Sequence, residues 1–287
     1  MIERWALLAL LLSPIDASAG AWTRDAGRFY LNASYSRIAA DALFTPSFEK
    51  VPIVPYTQQL VGFYGEVGLI TRWLTLTGEG TIFRHARLEG QGATSGVGDL
   101  RLGAWTGLLE QPLRLSLGVL LGLPTGDRAP SAGAGADSEA QAIARSLPTG
   151  DGEWDVEARA ALGTSLASES WPLEHYVTLE AGYWVRTRGF SDGLTYKLEI
   201  GTKIPVFVLD RFWFVLRLSG LESFASTAEA GQDATGLGNG VTYLSPGLEI
   251  SAKIYQGLGV AAAIDTAVRA RSVAAAPQIK LAISYEW

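Results

Sequence analysis

The last stretch of the sequence, residues 279–287, reads Ile-Lys-Leu-Ala-Ile-Ser-Tyr-Glu-Trp. In an extended strand, successive side chains point to opposite faces. One face here is apolar and carries Ile279, Leu281, Ile283, Tyr285 and Trp287. The other face carries Lys280, Ser284 and Glu286. Alternation of this kind predicts a β-strand with one apolar and one polar face.

The same alternation recurs along almost the whole chain. It covers twelve segments: 28–35, 61–69, 74–82, 97–106, 113–123, 154–163, 174–185, 194–204, 211–219, 243–252, 258–269 and 279–287. The apolar faces carry no Asp, Glu, Lys or Arg. Each segment is close to the ~9–11 residues with which a tilted strand crosses a bilayer. The sequence therefore predicts twelve antiparallel strands.

Alternation alone fits both a soluble β-sandwich and an outer-membrane barrel. Three features favour the barrel. Short connections such as Ile70–Arg72 alternate with long ones, aromatic residues lie near the ends of the apolar faces, and the last strand ends on Trp287. We therefore expect an all-β protein, a single transmembrane antiparallel up-and-down β-barrel of about 12 strands. Its periplasmic turns are expected to be short, and its long extracellular loops to cover 39–56, 84–96, 124–153 and 221–240.

The first residues have the pattern of a secretory signal. An apolar run, Trp5–Leu12, precedes Ser13-Pro14 and the small residues Ala17-Ser18-Ala19. The run is too short to span a bilayer, although a buried N-terminal helix is the other interpretation. We expect residues 1–19 to be a cleaved signal peptide and residues 20–287 to form the barrel in the bacterial outer membrane. The expected partners are membrane lipid and the barrel-assembly machinery, with Trp287 as the assembly signal.

Composition limits the chemistry. The chain has no cysteine, two histidines (His85 and His175) and a formal net charge of −6. A thiol nucleophile and a Cys-ligated zinc are therefore excluded, and nucleic acid is not attracted. We expect no enzyme activity, cofactor or metal, since neither histidine stands in a Ser-His-Asp context. Calcium binding by acidic residues of the loops stays open: Asp127, Asp137, Glu139, Asp151 and Glu153.

The polar faces of the strands predict the lining of the lumen. Its charged residues are Glu66, Glu79, Asp99, Arg101, Arg114, Asp155, Glu157, Arg159, Glu180, Lys197, Glu199, Lys203, Arg217, Glu249, Asp265, Arg269 and Lys280. The two signs nearly balance, unlike the single-sign lining of a strongly ion-selective pore. Two functions remain open. One is a channel or transporter for passive or facilitated uptake of small molecules, and the other is a non-conducting structural or adhesive barrel with a salt-bridged lumen.

Three motifs in the central region carry a family resemblance. They are Gly98-Asp99-Leu100-Arg101-Leu102-Gly103, Pro124-Thr125-Gly126-Asp127 and Gly152-Glu153-Trp154-Asp155-Val156. Together they resemble the transporter-like outer-membrane barrels labelled as the MetA pathway of phenol degradation. The resemblance implies a barrel fold, an outer-membrane location and a role in transporting small molecules, hydrophobic or aromatic ones among them.

The loop Pro124–Glu153 contains a short helical pattern. Asp137 or Ser138 is placed to cap a helix that runs through Arg145. Ala140, Ile143, Ala144 and Leu147 share one face at helical spacing. An apolar stripe in a polar loop favours burial. We expect the loop to fold over the barrel mouth or against a neighbouring loop that contains Ile53, unless it is a disordered external loop.

Overall fold

The computed structural model describes residues 20–133, 136–168, 171–206 and 209–287. The expected signal peptide, residues 1–19, lies outside the described residues. The strands are β1 (Phe29–Phe44), β2 (Lys50–Ile70), β3 (Leu74–Leu88), β4 (Gly92–Gly96), β5 (Leu100–Leu109), β6 (Arg114–Leu123), β7 (Asp155–Ser168), β8 (Trp171–Arg186), β9 (Gly193–Val206), β10 (Leu209–Ser223), β11 (Thr242–Tyr255), β12 (Leu258–Asp265), β13 (Arg269–Arg271), β14 (Val273–Ala274) and β15 (Gln278–Glu286).

All the strands belong to one antiparallel sheet, and the sheet closes on itself. The last strand β15 pairs with the first strand β1, from Tyr30 opposite Glu286 to Ile38 opposite Gln278. Three short strands extend longer ones: β4 and β5 both pair with β3, β12 and β13 both pair with β11, and β14 and β15 both pair with β1. The described wall is therefore a closed barrel of twelve strands, which confirms the predicted fold.

The barrel is apolar on the outside and polar on the inside. Leu117 and Leu281 on the outer surface are 44% and 55% exposed, whereas Glu157 and Glu199 on the inner surface are buried. A soluble protein has the opposite distribution. In lipid, only a helix or a closed barrel satisfies every backbone hydrogen bond. The architecture is that of a bacterial outer-membrane protein, as expected.

Two predicted loops are instead strand hairpins. Residues 39–56 and 84–96 were expected as long loops, but strands β1 to β4 continue through most of them and leave short turns at 45–49 and 89–91. The reason is a pair of register shifts, one between Ala40 and Ala42 and one beside Ile82. The shift beside Ile82 places one extra residue in β3, which reverses the parity that points inward, and the shift between Ala40 and Ala42 places two extra residues in β2. The alternation in the sequence is therefore interrupted at these positions, although the strands continue.

One short helix lies in the longest loop. Helix α1 (Ser138–Arg145) has Asp137 as its N-cap, with the Asp137 side chain accepting a hydrogen bond from the backbone N–H of Ala140 at 2.8 Å. Among the residues described, no helix is long and apolar enough to cross a membrane.

The orientation of β15 gives a first prediction. Leu281→Arg places a charge among lipid tails and should lower the free energy of unfolding by about 2–4 kcal/mol. The neighbouring change Ala282→Arg points into the lumen and should cost less, because water is available there. Unfolding in urea of protein folded into vesicles measures both values. An equal loss for the two variants would contradict the assigned orientation.

Candidate functional site in the lumen

A belt of ion pairs crosses the inner wall from β5 to β12. It begins at Arg101, whose guanidinium binds Asp155 at 2.8 Å and Glu157 at 3.0 Å. Arg159 on β7 also binds Glu157, at 2.8 Å, and reaches Glu180 on β8 at 3.5 Å. The Glu157 side chain is fully buried, so its charge is stabilised by these two guanidinium groups.

The belt continues through β9 and β10. Lys197 Nζ lies 2.8 Å from Glu180, and Arg217 binds Glu199 at 2.8 Å. Arg217 also binds Glu249 at 2.9 Å and lies 3.7 Å from Asp265. Most of the predicted lumen charges are thus neutralised within the wall itself.

The other predicted residues have separate roles. Glu66 is bound by Arg24 at 2.6 Å, and Lys203 binds Glu174 at 2.9 Å. The Asp99 carboxylate accepts backbone N–H bonds from Gly126 at 2.9 Å and Asp151 at 2.7 Å, so it fastens the long loop. The guanidinium of Arg114 lies 5.8 Å from the ring centre of Trp22. Glu79 and Lys280 line an open cavity.

Arg269 lies at the extracellular rim rather than in the lumen. It is half exposed, binds Glu222 at 2.8 Å and lies 4.4 Å from the ring centre of Phe48. The reason is a break in alternation: Val268 and Arg269 are consecutive and both exposed. Sequence parity counted from β12 therefore assigns Arg269 to the wrong face.

The belt does not fill the barrel. A cavity of about 400 Å³ remains beside β12 and β15. Five of the inward residues there are small: Gly259, Ala261, Ala263, Ala282 and Ser284. Three buried aromatic rings, Trp105, Tyr176 and Trp213, line another part of it. The cavity therefore combines aromatic rings, small residues and charged groups.

The segment before β1 lies inside the barrel. Ala21 and Trp22 are buried in a cluster with Trp105, Tyr176 and Trp213, and the Trp22 and Tyr176 rings meet edge to face at 6.2 Å. A Cβ added to Gly163 on β7 would lie 2.7 Å from the Trp22 ring, so glycine is needed there for the ring to fit. We call residues 20–24 the luminal segment.

Arg24 anchors the luminal segment to three strands, β2, β3 and β15. Its guanidinium binds Glu66 on β2 and Glu286 on β15, each at 2.6 Å, and its backbone N–H donates to the Thr75 hydroxyl at 2.8 Å. Sequence reasoning missed this segment. Two features of the sequence could have indicated it. A tryptophan and an arginine follow the expected cleavage site closely, and aromatic residues stand on the polar faces of β5, β8 and β10.

A second buried cluster joins the long loop to strands β1 to β3. Leu147 is fully buried against Tyr56, Ala86 and Ala274, with Ile143 and Ile53 packed beside it. The Thr94 hydroxyl donates to the Leu147 carbonyl at 2.5 Å. The expectation that the apolar stripe of the long loop packs against the neighbouring segment that contains Ile53 is confirmed.

Two of the five acidic residues of that loop are held by one arginine. Arg186 binds Asp151 at 3.0 Å and also Glu153, while its guanidinium lies 4.1 Å and 4.3 Å from the ring centres of Trp184 and Phe190. Burial raises the pKa of Glu153 to about 7, although Arg186 opposes the shift. In the described part of the chain, no cluster of acidic residues and histidines could hold a metal ion.

Both histidines lie on strands. His85, expected in a loop, is in β3 with its Nδ1 2.8 Å from the Ser95 hydroxyl. His175 in β8 has its Nδ1 2.9 Å from the Thr202 hydroxyl. Among the described residues no carboxylate hydrogen-bonds to His85, so the Ser-His pair lacks the acid of a triad.

Comparison with known proteins supports the fold. No protein-family model and no curated protein matches the chain. The COG4313 outer membrane channel from Pseudomonas putida F1 is similar at 15% identity, with a TM-score of 0.63, over 96% of this chain and 100% of its own. The KdgM porin in complex with disordered oligogalacturonate is similar at 8% identity, with a TM-score of 0.48, over 89% and 99% of the two chains.

A further similar structure is the beta domain of the Bordetella autotransporter Brka, at 12% identity and a TM-score of 0.49, over 92% of this chain and 100% of its own. At these identities the likeness shows the fold alone. The fold is that of bacterial outer-membrane β-barrels.

The luminal segment generates a prediction about permeability. Trp22→Ala removes its main packing contact, a loss of about 3–5 kcal/mol for a buried tryptophan. The segment should then leave the lumen, and ion conductance in planar bilayers should rise several-fold. Asp25→Ala, at an exposed position beside it, is the control and should leave conductance unchanged. Wild-type conductance in the Trp22→Ala variant would show that the segment does not obstruct the lumen.

The Glu153 carboxyl generates a prediction about pH. Because folding raises its pKa, its contribution to loop docking is greatest at low pH and is lost as pH rises through about 7. Amide hydrogen exchange in residues 138–147, corrected for intrinsic rates, should become faster between about pH 5.5 and about pH 8. Glu153→Gln should remove this dependence. Slower corrected exchange at the higher pH would reverse the assigned sign.

Proposed function

We propose that the protein is an outer-membrane channel for small molecules, passing them by diffusion or facilitated uptake. The cavity beside β12 and β15 carries this proposal. It lies along a wall of glycine, alanine and serine side chains, and a lumen built only for strength would fill that space with larger residues. The luminal segment lines the same cavity through Gly20, so it is placed to restrict passage.

The competing function is a non-conducting barrel closed by salt bridges. The ion-pair belt supports it in part, since it occupies the wall from β5 to β12. The opposite wall, however, carries uncharged side chains such as Asn32, Ser34 and Ser36 on β1. The belt therefore lines one side of the lumen, and among the described residues the luminal segment reaches the cavity through Gly20.

Several expectations belong to the same proposal. Residues 1–19 are removed on export, lipid surrounds the apolar belt, and the barrel-assembly machinery recognises the last strand through Trp287. The transported solute is a small molecule, and the protein neither catalyses a reaction nor binds nucleic acid. The motif resemblance adds hydrophobic and aromatic compounds to the candidate solutes.

Single-channel recording tests the proposal. Wild-type protein in planar bilayers should show discrete low-conductance events, and Leu147→Asp should raise the conductance because it undocks the loop that covers the mouth. Ala142→Asp, on the exposed face of α1, is the matched control and should behave like wild type. Folded protein without channel events at any voltage, in the wild type and in Leu147→Asp alike, would favour the structural or adhesive barrel.

A further inference from the structure

The charges around the cavity are unequally engaged. Five basic and five acidic side chains line it: Arg159, Lys197, Arg217, Lys253, Lys280, Glu79, Glu180, Glu199, Glu249 and Glu286. Eight of them are bound in ion pairs within the wall or to the luminal segment. In the described part of the chain, Lys280 and Glu79 form no ion pair. The described cavity lining thus has one charged group of each sign that forms no ion pair.

The neighbours of Lys280 explain why its ammonium has no partner. Across the sheet it faces Ala263 on β12 and Ser36 on β1, and neither is acidic. The acids that act on it electrostatically, Glu199 and Asp265, already face Arg217 at 2.8 Å and 3.7 Å. Lys280 is only partly buried, so its ammonium is accessible from the cavity.

Glu79 is left without a partner for a similar reason. It lies opposite Arg101 on the neighbouring strand, but that guanidinium extends the other way to Asp155 and Glu157. On the other side it faces Tyr64, whose hydroxyl donates to Glu66 at 2.5 Å. The Glu79 carboxylate is also only partly buried.

The two groups lie at separate corners of the cavity. The row that contains Glu79 runs through Tyr64 and Asn32 to Ser284, which is four residues from Lys280. Three strand spacings and four residues place the two Cα atoms about 14 Å apart across the sheet and about 13 Å apart along it. A ligand that meets both groups therefore needs its own charges several bonds apart.

We propose that the cavity is a binding site for a small zwitterion whose ammonium and carboxylate are separated by a short apolar chain. The carboxylate binds Lys280, the ammonium binds Glu79, and the chain lies against Trp105, Trp213 and the small residues of β12 and β15. This site deepens the proposed function, on which it rests, by giving the channel a class of solute. Charge-assisted hydrogen bonds at both ends supply the selectivity.

Binding of a charge-matched ligand set tests the site. The full-length protein folded in detergent is titrated with 6-aminohexanoate, hexanoate and hexylamine, and binding is followed by calorimetry. The zwitterion should bind about tenfold more tightly than either single-charge ligand, as expected for one further charge-assisted hydrogen bond. Glycine, whose charges are too close together, should bind no better than the single-charge ligands.

Two variants assign the ends. Lys280→Met should reduce binding of 6-aminohexanoate to the level of hexylamine and leave hexylamine unaffected. Glu79→Gln should reduce it to the level of hexanoate and leave hexanoate unaffected. Lys280→Arg keeps the charge and should keep most of the binding, which separates loss of the contact from loss of folding. Equal affinity for the three ligands, or variants that bind as wild type does, would overturn the site.

Solute flux into vesicles distinguishes failure of the site from failure of the channel. A protein that conducts ions but binds the three ligands equally refutes the site alone. A protein that shows the binding pattern but passes neither ions nor solute retains the site and refutes the channel.

Discussion

The structure depends on one constraint, which is that no backbone N–H or C=O group can be left unpaired in lipid. The pairing of β15 with β1 meets it by removing both sheet edges. Closure at twelve strands then creates a second problem, because a barrel of this size is wider than the eight-stranded barrels whose interiors side chains can fill. The ion-pair belt, the aromatic cluster and the luminal segment are three ways of occupying the same interior.

The ion-pair belt, the aromatic cluster and the luminal segment do not fill the lumen evenly. The buried Glu157 carboxylate is bound by two guanidinium groups, Arg101 and Arg159, so large charged side chains occupy this part of the wall. On the other side, β12 and β15 contribute Gly259, Ala261, Ala263, Ala282 and Ser284 beside the charged Lys280 and Glu286. The free volume lies there because these five residues are small, whereas most of the ion-pair belt is on the other strands.

Much of the fold could be predicted from the sequence, since period-two alternation follows directly from strand geometry. It gave the strand number and the apolar outer surface. It failed where the backbone leaves strict alternation: the bulge beside Ile82 and the break at Arg269 reverse parity without any residue type that marks them. The ion pairs between strands also could not be predicted from the sequence, because they depend on the register in which the strands pair. The luminal segment was missed because a five-residue piece has no periodicity to detect.

The position of Arg24 has a consequence for the order of folding. Its two carboxylate partners belong to β2 near the start of the barrel and to β15 at its end, on either side of β1. Both carboxylates are within reach only after β15 has joined β1. The complete set of Arg24 contacts therefore forms only in the closed barrel, where it joins the luminal segment to the strands on both sides of β1. Until the final strand is in place, the Arg24 guanidinium has Glu66 but not Glu286 within reach.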